Sequence, residues 1–219
     1  MNVALAGPPA SASRRRAALT GYWASIVAAV GVAAYGLVQI LQVMGGVANI
    51  PGDSLIYGTS LLIAPPFLLA MLALDYLAPE ERKFYGHGAV SFATLYAGFA
   101  LLIYVVQLGS VLPMAAAGAA PSVLQVTPHS LFWTVDALAY IAMGTAAFFA
   151  AFIFDWQGGG RSVRLALVAH GLMTPVIAVV YFYPVFSLPL LILGSPWLVT
   201  ALATTVLLAR EFGRTVRAA

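Results

Sequence analysis

Every Lys and Arg of this chain lies at one of four places along a pattern of six long apolar runs. The cations precede the first run, fill the second and fourth gaps between runs, and follow the sixth run. They are Arg14, Arg15, Arg16, Arg82, Lys83, Arg161, Arg164, Arg210, Arg214 and Arg217. Loops rich in Lys and Arg are retained in the cytoplasm. The pattern therefore predicts six membrane spans with both termini in the cytoplasm.

Each apolar run is long enough to cross a bilayer as a helix, which takes about 20 apolar residues. The runs cover roughly residues 21–44, 55–77, 89–114, 131–154, 163–184 and 186–210. Lipid offers no partner to free backbone groups, and the alternation of a membrane β-barrel is absent from the sequence. The predicted fold class is therefore all-α, a polytopic membrane protein built as a six-transmembrane-helix bundle.

The composition excludes a water-soluble protein and several kinds of site. Hydrophobic residues make up 62% of the 219 residues and charged residues only 8%, whereas soluble domains carry roughly 25% charged residues. The absence of Cys excludes disulfides and thiolate chemistry. We predict one six-helix transmembrane domain over residues 14–219 after a disordered cytoplasmic tail, residues 1–13. Abundant Ala and the preference for Arg over Lys suggest a GC-rich bacterium and location in its inner membrane.

Asp136 is the most informative polar residue, because an ionisable group inside a span costs roughly 2.5–3.5 kcal/mol on insertion scales. It lies about five residues into the fourth run, or roughly 8 Å deep, and no cation lies at that depth. We predict a polar pocket around it, formed by the first, third and fourth spans and open to the outer leaflet. The other residues expected to contact a ligand there are Tyr35, Gln39, Gln42, Tyr104, Gln107, Trp133 and Tyr140. The alternative is that these polar groups only hold helices together.

His170 is the second ionisable residue well inside a span, and it is a candidate proton relay. Its simpler role is that of a neutral histidine bonded to a backbone carbonyl that Pro175 frees from the helix. A haem would need a second axial ligand at the same depth, and neither His87 nor His129 lies there. No haem, no other cofactor and no metal site is predicted.

The other aromatic residues and the prolines suggest structural roles. Aromatic residues near span ends are typical of the membrane-interface belt, and those in such positions are Tyr22, Trp23, Trp133, Trp156 and Trp197. Prolines inside spans predict kinks, which open space between helices. The prolines in question are Pro65, Pro66, Pro175, Pro189 and Pro196.

The predicted function is to bind or move a small amphiphilic ligand, a lipid or an isoprenoid, through the pocket around Asp136. Concave, mostly apolar sites with a few convergent polar groups favour this hypothesis. One alternative is an intramembrane enzyme that acts on an isoprenoid or lipid with Asp136 as general acid. Another is a structural subunit of a larger membrane complex, since the 20 glycines suit close helix packing. The expected partners are the bilayer, a hydrophobic small molecule, and membrane-complex subunits or a second copy of the chain, but not nucleic acid.

Overall fold

The computed structural model describes residues 10–47, 49–119 and 122–218. Within them, six segments are helical, apolar and long enough to cross a membrane, and we number them span 1 to span 6 in chain order. They are Ser11–Val43, Pro51–Leu77, Glu80–Ala116, Leu131–Ala151, Arg161–Phe182 and Leu188–Ala218. The described residues contain no strand. The predicted all-α, six-helix membrane architecture is confirmed.

Several spans consist of more than one helix. The helices are α1 (Ala10–Val43), α2 (Asn49–Leu61), α3 (Ala64–Leu77), α4 (Lys83–Val106), α5 (Leu112–Ala116), α6 (Leu131–Ala151), α7 (Arg161–Gly171), α8 (Met173–Phe182), α9 (Leu188–Gly194) and α10 (Pro196–Ala218). A π-helical turn, Gln107–Val111, joins α4 to α5. Because α1 begins at Ala10, residues 10–13 of the predicted tail are helical. Residues 1–9 lie outside the described part of the chain.

Prolines mark the breaks inside spans 2, 5 and 6. Span 2 breaks just before Pro65, span 5 breaks at Leu172 shortly before Pro175, and span 6 breaks at Ser195 directly before Pro196. Proline cannot donate a backbone hydrogen bond, and its ring disfavours helical geometry in the preceding residue. The three breaks give these spans two segments that can take different directions.

The six spans form a closed ring in chain order. Each span packs against the next one along the chain, and span 6 packs back along span 1. Six crossings place residues 10 and 218 on the same side of the membrane. The end of the bundle that carries the Lys and Arg residues is called the basic end below. The other end, with the loops after spans 1, 3 and 5, is called the opposite end.

Spans 3 and 4 meet through small side chains. Alanines on both helices are buried almost completely; they include Ala89, Ala93 and Ala100 on span 3 and Ala139, Ala146 and Ala150 on span 4. These six residues are called the alanine seam. Gly88 on span 3 lies directly against the ring of Phe149 on span 4. Small residues let helix backbones approach closely in a membrane, so this side of the ring is tightly closed.

Candidate functional site

Asp136 is buried and held by tyrosines from two other spans. Tyr181 of span 5 donates to Oδ2 at 2.6 Å, and Tyr104 of span 3 donates to Oδ1 at 3.0 Å. The carboxyl group is placed by the first turns of α6, where Ser130 Oγ caps the helix by accepting from the Trp133 backbone N–H. Both carboxyl oxygens therefore have hydrogen-bond partners, and Asp136 links spans 3, 4 and 5.

Further hydroxyl groups extend this network to span 1. The Tyr104 and Tyr140 hydroxyl oxygens lie 3.3 Å apart, and the Tyr140 hydroxyl donates to that of Tyr35 at 3.4 Å. Trp133 fixes Tyr181 in place, because its indole Nε1 donates to the Tyr181 carbonyl at 3.0 Å. The result is a continuous chain of hydroxyl groups around one carboxyl.

An aromatic side chain from each of the six spans lies close to this network. We call the set the aromatic layer; it consists of Tyr35, Tyr57, Tyr104, Tyr140, Tyr181 and Trp197. The Tyr57 ring stacks on that of Tyr104 with 5.7 Å between centroids. The Trp197 ring meets the edges of Tyr140 at 4.8 Å and of Tyr35 at 6.0 Å. At the depth of the aromatic layer, the spans are joined by large side chains and by hydrogen bonds.

A cavity of about 520 Å³ lies beside the aromatic layer, between spans 1, 4, 5 and 6. Four members of the layer line it: Tyr35, Tyr140, Tyr181 and Trp197. Most of the other lining side chains are aliphatic, such as Ile177 and Val180 on span 5. The cavity therefore combines long apolar walls with phenol and indole groups on one side.

The cavity opens sideways, between span 1 and the short helix α9. Helix α9 packs against α8 but not closely against span 1. Ile40 and Met44 on span 1, with Leu188 and Ile192 on α9, line the cavity and also form part of the exposed apolar surface of the bundle. In a bilayer this surface faces lipid tails, so the opening connects the cavity to the membrane interior.

The structure brings together some of the predicted ligand-contacting residues and separates others. Tyr35, Gln39 and Tyr140 line the cavity, whereas Tyr104, Trp133 and Asp136 belong to the network behind its lining. Two amides are engaged elsewhere. Gln42 Nε2 donates to Asp53 Oδ1 at 2.9 Å, and Gln107 Nε2 donates to the Leu124 carbonyl at 2.6 Å.

The pocket lies between spans 1, 4, 5 and 6 rather than among spans 1, 3 and 4, so the predicted set of helices was wrong. The physical reason is side-chain size. The alanine seam brings spans 3 and 4 too close together to leave space between them. Spans 5 and 6 are broken at Leu172 and Ser195, and both contribute walls to the cavity.

His170 is fully buried in span 5, beside span 6. Its Nδ1 lies 3.0 Å from the Thr200 hydroxyl oxygen, so its partner is a side chain and not a carbonyl freed by Pro175. Its ring centroid lies 5.9 Å from that of Trp197. The role of His170 as a proton relay stays a prediction.

Tyr181 and Trp197 were missed as site residues. The sequence suggested that Trp197 belongs to the interface belt, but it is only 6% exposed, whereas Trp23 is 60% exposed and Trp156 is 52% exposed. The sequence did contain an indication that Trp197 is buried. It shares one helix face with Ala201, Thr204 and Leu208, which are buried too. For Tyr181 the sequence offered no such indication, because it lies next to the last residue of span 5, Phe182, whereas Asp136 lies five residues beyond the first residue of span 4, Leu131.

Among the described residues, no group of three or more His, Asp or Glu side chains is placed to hold a metal ion. No protein-family model matches the chain. No curated protein and no solved structure is significantly similar to it.

Proposed function

We propose that this protein binds a small amphiphilic ligand, a lipid or an isoprenoid, that reaches the cavity from within the membrane and is held there or moved. The cavity carries this proposal. Its volume of about 520 Å³ falls within the roughly 300–1,000 Å³ of small-molecule sites. Apolar walls suit a hydrocarbon chain, and the Tyr35 and Tyr140 hydroxyls with the Trp197 indole suit a polar group.

The sideways opening supports a ligand that comes from the bilayer. Such a ligand is already dissolved among lipid tails, so it can enter between span 1 and α9 without crossing water. The rim residues Met44 and Ile192 are apolar and strongly exposed. A water-soluble ligand would gain nothing from such a rim.

In this proposal Asp136 positions the polar side of the cavity and does not react. Its two oxygens accept from Tyr104 and Tyr181, and it is not among the residues that line the cavity. A general acid must come within about 3 Å of the atom it protonates. The geometry therefore supports binding better than the enzyme alternative.

We further propose that the basic end faces the cytoplasm of a bacterial cell, which places the cavity opening in the outer leaflet of the inner membrane. The chain has no native Cys, so single cysteines report topology directly. An impermeant thiol reagent added to intact cells is expected to label Ala117→Cys at the opposite end and to spare Gln157→Cys at the basic end. The reverse labelling would overturn the orientation.

Filling the cavity tests the function. Val180 is 4% exposed and lines the cavity, so Val180→Trp places an indole inside it. The matched control is Val105→Trp, on the exposed surface of span 3. Lipids that remain with each protein after purification in mild detergent are measured by mass spectrometry.

A stoichiometric amphiphile is expected with the wild type and with Val105→Trp, and not with Val180→Trp. Equal retention by all three proteins would contradict the proposal. A stoichiometric protein partner without a bound amphiphile would favour the structural-subunit alternative.

A further inference from the structure

We propose that the lipid-facing surface of spans 1 and 2 holds an anionic phospholipid of the leaflet at the basic end. One acyl chain of this lipid lies in a groove between the two spans, and its phosphate binds Arg15 and Arg16. The site is separate from the cavity beside the aromatic layer. It does not depend on the function proposed for that cavity.

A groove of about 400 Å³ lies between spans 1 and 2, on the part of span 2 that follows its break and leads to the basic end. It is lined by Leu19, Thr20, Trp23, Ala24 and Val27 of span 1 and by Pro66 and Leu69 of span 2. Ala24 is small and only 7% exposed, so it forms the floor, whereas Trp23 is 60% exposed and Leu69 is 46% exposed. These larger side chains form walls that face lipid tails. A single acyl chain suits such an apolar groove.

Two arginines lie where the groove ends towards the membrane surface. Arg15 and Arg16 are exposed and precede the first groove residues of α1 by one helical turn, or about 5.4 Å along the axis. Arg16 shares one face of the helix with Thr20 and Trp23, because these residues recur at intervals of four and three. The arginines therefore lie at the level of the headgroup of a lipid whose chain fills the groove.

Neither arginine forms an ion pair with a carboxylate in the described part of the chain. The ion pairs there join Arg82 to Asp155, His87 to Asp75 and Arg214 to Glu211. Other cations of the basic end donate to backbone carbonyls of the protein; they are Arg82, Lys83 and Arg164. The guanidinium groups of Arg15 and Arg16 are thus available to a headgroup.

A phosphate with a net negative charge fits these two side chains best. The guanidinium fork matches phosphate oxygens in pairs, and a zwitterionic lipid would bring an ammonium group beside the arginines. Each basic residue near the surface is worth about fivefold in binding to anionic lipid. Glu80 and Glu81 follow span 2 at the same end and are exposed, so they oppose this attraction. We expect a net preference of about tenfold for an anionic over a zwitterionic phospholipid.

Trp23 provides the measurement, because it lines the groove and bromine atoms on a lipid chain quench the fluorescence of a tryptophan that they contact. The purified full-length protein is placed in phosphatidylcholine bilayers. Dibrominated phosphatidylglycerol or dibrominated phosphatidylcholine with the same chains is then added in rising fractions. Quenching that is lost in Trp23→Phe is assigned to the groove. Phosphatidylglycerol is expected to reach half-maximal quenching of Trp23 at about one tenth of the fraction that phosphatidylcholine needs.

Charge variants assign the preference to the two arginines. Arg16→Gln should reduce it to about twofold, and the double substitution Arg15→Gln with Arg16→Gln should abolish it. The matched control is Arg161→Gln, which removes an exposed arginine at the start of span 5, at the same end of the bundle. It should leave the preference unchanged.

Equal quenching of Trp23 by the two lipids would show only ordinary boundary lipid and would overturn the proposal, even if no arginine variant folds. A preference for phosphatidylglycerol that persists in Trp23→Phe would place the lipid elsewhere and would also overturn it. Equal losses in Arg16→Gln and Arg161→Gln would reduce the effect to general surface charge. Displacement of the lipid by soluble glycerol phosphate would show that the arginines bind phosphate without the groove. None of these results bears on the cavity, which the Val180→Trp comparison tests separately.

Discussion

Spans 3 and 4 join through alanines, whereas spans 1, 5 and 6 meet near the opposite end through large aromatic side chains. Ala93 and Ala146 are fully buried, and no space remains between their helices. Around Tyr35 and Trp197, a cavity of about 520 Å³ remains. Lipid tails are as apolar as leucine, so hydrophobicity alone does not draw helices together within a bilayer. Side-chain size therefore decides where this ring closes and where a cavity remains.

The two regions should fail in different ways. The alanine seam depends on small side chains that let the two helices approach closely, so adding carbon atoms there should disrupt it. The aromatic layer depends on acceptors for buried hydroxyls, so removing an acceptor should disrupt it. Unfolding free energies, measured by titrating the purified protein in mild micelles with SDS, compare the two directly.

The largest effect is expected from Asp136→Leu in the aromatic layer. It removes the acceptor from the Tyr104 and Tyr181 hydroxyls, and each buried polar group left unpaired costs about 1–3 kcal/mol. Asp136→Asn keeps one carbonyl oxygen as an acceptor and should cost about 1 kcal/mol. Equal unfolding free energies for Asp136→Leu and the wild type would show that this network does not stabilise the bundle.

The next effect concerns the alanine seam. Ala146→Leu forces extra carbon atoms into a closely packed contact, which costs about 1–3 kcal/mol. The control, Ala33→Leu, lies on an exposed position of span 1 and should stay within about 0.5 kcal/mol of the wild type. If both substitutions behave alike in the SDS titration, the seam is not tightly closed.

Val180→Trp should destabilise the protein less than Ala146→Leu, although it adds more atoms. The indole can occupy the cavity that Val180 lines, so little has to move. We expect its unfolding free energy to lie within about 1 kcal/mol of the wild type, below the usual cost of overpacking. A loss larger than that of Ala146→Leu would mean that the cavity walls cannot accommodate a second ring.

The smallest effect is expected at the basic end, from the ion pair between Arg82 and the exposed Asp155. A hydrogen bond from the Arg82 guanidinium, together with its charge, holds the pKa of the exposed Asp155 carboxyl below its ordinary value of 3.8. The folded-state pKa is thus lower than the unfolded one. The ion pair therefore contributes stability above about pH 4, and this is lost as the pH falls through the folded-state value.

Melting temperatures from pH 7 downwards check this. Asp155→Asn should melt slightly below the wild type at neutral pH and approach it under acid conditions, since exposed ion pairs contribute little. Glu81→Gln, a substitution of another exposed acid at the basic end, is the control. A constant difference between Asp155→Asn and the wild type at every pH would exclude the ion pair as its cause.

The spans and their breaks could be predicted because they depend on local sequence. Apolar length sets each crossing, and Pro65, Pro175 and Pro196 mark the places where helices stop. The importance of Asp136 was also visible, since it is a lone acid deep in an apolar run. None of this required knowledge of which helices are neighbours.

The partners of these residues could not be predicted, because they depend on the order of helices around the ring. Tyr104 was named with Asp136, but Tyr181 was missed, since a short turn makes spans 4 and 5 neighbours without showing which residues of span 5 face Asp136. Gln42 and Gln107 were assigned to the pocket because of their depth. Each instead forms a hydrogen bond outside the pocket: Gln42 bonds to Asp53 at the start of span 2, and Gln107 bonds to the Leu124 carbonyl in the loop after span 3.

The contact between span 1 and span 6 has a consequence for how the protein is made. Gly21 lies against Phe212, and Gly36 lies against Leu198, so the first of the six spans to be synthesised pairs with the last. Until span 6 is inserted, the glycine face of span 1 is covered by lipid. Trp197 and Leu198 supply one wall of the cavity, so a nascent chain stopped after span 5 has five helices in the membrane but no enclosed cavity.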